Sequence, residues 1–151
     1  MRALHVLGRT IFGSYFVYNG INHLVHERML SQYAAAKGVS NADVAVPASG
    51  ALLITGGLSL VTGFQPRRGL LAIIGFLVPV TLEMHRFWAA DDPAQRSADQ
   101  VNFLKNVALI GAALALFGID EPWPVSVDEA RPNREDMYVH LGGREMPALP
   151  A

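Results

Sequence analysis

Between Val44 and Phe64 the chain carries no charged residue. As a helix rising about 1.5 Å per residue, such a stretch covers roughly the 30 Å of a bilayer's hydrocarbon core. It also lacks a polar stripe: Ala51-Leu52-Leu53-Ile54-Thr55-Gly56-Gly57-Leu58-Ser59-Leu60-Val61-Thr62-Gly63 has no charged face, and a helix of a water-soluble bundle shows one. Three further apolar segments accompany it: about Ala3 to Val25, Gly69 to about Trp88, and about Val101 to Ile119. The last two reach spanning length only by taking in Glu83, Arg86 and Lys105 at or near their ends. A soluble four-helix bundle is the competing arrangement, and the missing charged face argues against it. The expected fold is an all-α integral membrane four-helix bundle, residues 1–119, followed by a polar, Pro-rich and poorly ordered tail, residues 120–151.

Composition agrees. Hydrophobic residues make up 51% and charged residues 17%, against about 45–50% and about 25% in soluble domains. A net charge of −1 argues against nucleic acid as a partner, which demands a concentrated basic surface. The absence of cysteine removes disulfide exchange, iron–sulfur ligation by this chain and thiolate metal sites. Arg2 and Arg9 before the first apolar stretch resemble a signal-peptide opening, but no small-residue cleavage site follows and Asn19, Asn22 and His23 interrupt it. A retained anchor is expected.

The connections differ in character. Gln65-Pro66-Arg67-Arg68 is a tight basic turn, and Met29, Leu30, Tyr33 and Lys37 fit a short interfacial helix closed by Gly38. Asp91 to Gln100 reads as a polar loop begun by Pro93. Four spans put both termini on one side. Arg2, Arg9, Arg67, Arg68 and the tail arginines tilt that side toward the cytoplasm. Thr55, Ser59 and Thr62 on one helix and Ala108, Ala112 and Ala115 on another form small-residue stripes suited to close packing.

Ionisable groups at membrane depth are costly and mark function by default. Asn19, Asn22, His23 and His26 share one face of the first helix, which Tyr15 and Phe12 continue inward. Pro79, Glu83 and Arg86 share a face of the third helix, with His85 pointing about 160° away at 100° per residue. Asn102, Lys105, Asn106 and Leu109 share a face of the fourth. Three helices thus bring polar faces to one level. One reading is a structural ion-pair network of Glu83 with Lys105 or Arg86, bridged by the asparagines. The other is an interfacial pocket walled by Tyr15, Phe87 and Trp88, suited to a ligand with a polar head and a greasy tail such as a quinone. There His23 or Lys105 donates to a quinone oxygen and Glu83 exchanges the proton, so Glu83 and His23 are the catalytic candidates. A metal on His23 and His26 with Glu83 or His85 is a weaker alternative. His5 and His140 read as solvated bystanders.

Leu7-Gly8-Arg9-Thr10-Ile11-Phe12-Gly13, Gly20-Ile21-Asn22-His23, Lys37-Gly38-Val39, His85-Arg86-Phe87-Trp88 and Phe103-Leu104-Lys105-Asn106-Val107-Ala108-Leu109-Ile110-Gly111 together resemble the DoxX family of small four-helix membrane proteins, over about Leu4 to Gly118. The resemblance implies a bacterial inner-membrane protein, with His23, His85, Lys105 and Asn106 as the family positions. Some relatives are similar to quinone-linked oxidoreductase subunits, including the membrane part of thiosulfate:quinone oxidoreductase, and others associate with redox-stress enzymes. The function expected here is a quinone-interacting or accessory subunit that receives electrons from a soluble or membrane redox partner. The alternatives are a non-catalytic scaffold recruiting soluble partners and, less favoured, a small-solute or proton transporter that oligomerises with itself.

Overall fold

The computed structural model describes residues 1–131, which are helical without strands. Five α-helices follow in order: α1 (Arg2–Val25), α2 (Glu27–Ala36), α3 (Ala42–Thr62), α4 (Pro66–Met84) and α5 (Pro93–Phe117), with a 3-10 turn at Phe87–Ala89. Three segments are long and apolar enough to cross a membrane: Ala42–Thr62, Pro66–Ala89 and Pro93–Phe117. The first helix matches them in length at 24 residues, but Arg2, Arg9, Asn19, Asn22 and His23 lower its hydropathy.

Glycines set the closest packing. A Cβ on Gly13 would lie 2.6 Å from the Gly57 carbonyl oxygen, and one on Gly20 would lie 2.6 Å from that of Gly50. The antiparallel helices α1 and α3 therefore meet backbone to backbone at two levels, gaining dispersion contacts where lipid gives no hydrophobic drive between helices. This corrects the expected stripes in part: Thr55, Thr62, Ala108, Ala112 and Ala115 are exposed, while Ser59 is half-buried and packs against Gly69 of α4. Their hydroxyls, where present, bond back to the carbonyls of their own helix. Next, α3 packs on α4 and α4 on α5. Phe16, Leu53, Leu60, Leu70, Ile73, Leu77, Ala113 and Trp123 form the buried core.

The short α2 ends as its glycine requires. Gly38 has φ of 94°, with Gly38 N–H donating to Ala35 O and Val39 N–H to Ala34 O, the paired bonds of a Schellman ending. The Asp91–Gln100 loop is corrected. Asp92 accepts from the Gln95 amide at 2.7 Å and Pro93 takes the first helical position, so α5 starts eight residues before Val101. An Asp N-cap followed by Pro is a helix-start signal.

Residues 120–131 also depart from the poorly ordered tail expected there. Trp123 is fully buried, with His5 edge-on at 5.0 Å between ring centroids, so His5 is no solvated bystander. The buried Arg9 guanidinium donates to Val125 O, and Val127 N–H donates to Thr62 O at 3.0 Å. Asp128 accepts from the Gln65 amide at 2.6 Å and Glu121 from that of Arg67 at 3.1 Å. The start of α1, the α3–α4 turn and this segment thus close one end of the helices. His140 and the rest of the tail lie outside the described residues.

Candidate functional site

At the opposite end, side chains from all five helices enclose a cavity of about 710 Å³. Its walls are mostly apolar: Phe16, Leu52, Leu53, Phe76, Leu77 and Val80, with Leu30, Tyr33 and Ala34 of α2 contributing. A volume of this size holds a drug-sized ligand. Seven of the residues singled out in the sequence line it: Tyr15, Asn19, His23, Glu83, His85, Lys105 and Asn106. Three do not. Asn22 and His26 lie outside the lining, and Trp88 meets Phe87 and Phe103 edge-on at centroid distances of 5.1 and 5.8 Å. Phe76, not Phe87 or Trp88, supplies the aromatic wall beside His23, at 5.7 Å between ring centroids.

His85 joins the site because α4 stops at Met84. His85 has φ of −119° and ψ of 46°, so the helical step that turned it away from Glu83 does not apply. Its Nδ1 faces the Asp99 carboxylate at 3.5 Å, and the other Asp99 oxygen accepts from Lys37 Nζ at 2.9 Å. Asp99 is buried and its two oxygens are both engaged. This residue was missed in the sequence, where it sat in a stretch read as a loop. The signal that could have found it is the Asp92-Pro93 helix start, which places Asp99 within α5.

The expected ion pair of Glu83 with Lys105 or Arg86 is absent among the described residues. Arg86 instead donates to the Lys37 carbonyl at 3.2 Å, at the C-terminal end of α2, where a cation is favourable. Lys105 Nζ donates to Asn102 Oδ1 at 2.9 Å, one turn away. Glu83 keeps an exposed carboxylate at the cavity wall.

Two polar groups face the cavity in a telling way. His23 Nδ1 lies 2.8 Å from Ser49 Oγ, whose own hydroxyl donates to Val46 O at 2.7 Å. Asn106 is only 5% exposed, lines the cavity and has no side-chain hydrogen bond among the described residues. No metal arrangement emerges: His26 Nδ1 turns to Asn22 O at 3.3 Å, and no group of three or more His, Asp or Glu side chains converges among the described residues.

No curated protein and no solved structure matches the chain. The DoxX family model matches residues 4–86, ending before the Phe103–Gly111 stretch that also resembled it. That match covers more than half of the chain and falls on the helices that build most of the cavity. With its three spanning-length apolar segments, the chain is a multi-pass membrane protein of the DoxX family.

Proposed function

We propose that this protein binds a quinone-like amphiphile in the cavity, as an accessory subunit of a membrane-associated redox complex in the inner membrane. In this reading α1 is a fourth span, and both termini face the cytoplasm. The observation that carries it is Asn106, a largely buried residue on the wall of an apolar cavity, whose amide is open to the cavity and has no protein partner among the described residues. Lys105 and Glu83 line the same cavity, unpaired with each other. A polar head meets Asn106, Lys105 and Glu83, while an isoprenoid or alkyl tail runs along Leu53, Phe76 and Leu77. With no cysteine in the chain, electrons reach such a ligand from a partner protein.

The test is quinone content, by mass spectrometry, of protein purified in mild detergent. The expected result is near-stoichiometric quinone in the parent and its loss in a Glu83→Gln, Lys105→Ala double variant that melts like the parent. A parent free of quinone, or a variant that keeps it, overturns the reading.

The Lys37–Asp99–His85 network favours a second reading. It is a satisfied ion network tying α2 to α5 and the end of α4, as a non-catalytic scaffold for soluble partners would need. Partner recovery that survives deletion of residues 132–151 counts against a scaffold working through its tail.

A further inference from the structure

His23 and Ser49 together decide which kind of head group the cavity accepts. Ser49 has one hydroxyl hydrogen and two neighbours, the Val46 carbonyl at 2.7 Å and His23 Nδ1 at 2.8 Å. A carbonyl oxygen can only accept, so the hydroxyl hydrogen belongs to Val46 O. Were it turned to His23, the Ser49 and Val46 oxygens would face each other lone pair to lone pair. Ser49 Oγ therefore accepts, and the hydrogen between the two side chains is the one on Nδ1. In the neutral ring this leaves Nε2 with the lone pair. Nε2 has no partner and is not sealed off among the described residues, and the ring lines the cavity.

We infer that this site selects a head group that donates a hydrogen bond, the hydroxyl of a reduced quinol rather than the carbonyl of the oxidised quinone. The inference rests on the quinone reading above and deepens it. Lys105 does not discriminate, because a hydroxyl oxygen and a carbonyl oxygen both accept from its N–H groups. The Glu83 carboxylate and Asn106 Oδ1 accept from a hydroxyl and so favour the same head group as His23. At His23 a hydroxyl gives Nε2 a hydrogen, while a carbonyl sets a second lone pair against it. Ser49 is the positioning residue, acting through the ring and not on the ligand.

Two measurements test it. Histidine ¹⁵N NMR of the detergent-purified protein, with the His23→Gln spectrum identifying the signal, should show the Nδ1–H tautomer. A ring protonated on Nε2, alone or on both nitrogens, overturns the inference whatever the ligand. Calorimetric titration with a decyl-tailed benzoquinol and with its oxidised benzoquinone should show the reduced probe binding about tenfold more tightly, the size of one net hydrogen bond. Ser49→Ala should lower that ratio while both probes still bind. Equal affinities in the parent, or a tighter oxidised probe, overturn the inference and leave the quinone reading standing. Failure of both probes to bind overturns the quinone reading, and the inference falls with it.

Discussion

Lys37 Nζ lies 2.9 Å from an Asp99 carboxylate oxygen, joining the end of α2 to α5 across 62 residues of chain. The two partners are unequally sealed, with side chains 24% and 3% exposed. The shared oxygen pair also holds His85, a lining residue of the cavity. The helix α2, which contributes Leu30, Tyr33 and Ala34 to the wall, is thereby fastened at its far end.

The asymmetry sets an order of costs. Lys37→Met strips the sealed Asp99 carboxylate of its cation, leaving it His85 and the Gln95 side chain, and should destabilise by about 3 kcal/mol. Asp99→Asn leaves the more exposed Lys37 within reach of water and should cost roughly half that. Replacing both by apolar residues should recover most of the loss. Unfolding in detergent, followed by circular dichroism, checks this; single variants as stable as the parent would remove the pair from any structural role.

Gly13 and Gly57 offer a sharper packing test. Alanine at Gly13 places its methyl 2.6 Å from the Gly57 carbonyl oxygen, and backbone must move to admit it. The expected cost is about 1–3 kcal/mol. Gly111→Ala meets nothing within 4 Å and lies mid-helix, so it should be neutral or stabilising by about 0.5–1 kcal/mol. The same melts measure both. Equal effects would mean that α1 and α3 are not held at glycine distance.

Asn106→Leu separates a binding residue from a structural one. An asparagine bonded within the fold would leave broken partners behind and cost about 1–3 kcal/mol. Asn106 has no such partner among the described residues. The substitution should therefore leave melting unchanged or raise it, while quinone in the purified protein falls. A destabilised variant that keeps its quinone would return Asn106 to a structural role.

Much of the cavity was legible in the residues themselves. Asn19, His23, Glu83, Lys105 and Asn106 were placed at one level because helical period and segment ends fix the height of each side chain. What failed followed from single local events. The helix period carried His85 away from the site, yet α4 breaks one residue earlier. Asp99 went unseen because Asp92 and Pro93 begin a helix where polarity suggested a loop. The stripes of Thr and Ala looked like interfaces, but small polar and apolar residues satisfy lipid-facing positions as well as packed ones. Gly13 with Gly57, Gly20 with Gly50 and, across α3 and α4, Gly56 with Gly69 are the reciprocal close pairs.

Sequence alone determined that this chain is helical, membrane-bound and DoxX-like, because hydropathy and segment length act locally and need no partner. Tertiary structure alone decided which charges pair. Glu83 and Lys105, close in height, stay apart, while Lys37 and Asp99, distant in the chain, meet. Charge pairing depends on distances of a few ångströms between helices, which follow from helix packing such as the glycine contacts and from the early end of α4. Neither is encoded in the period of a single helix.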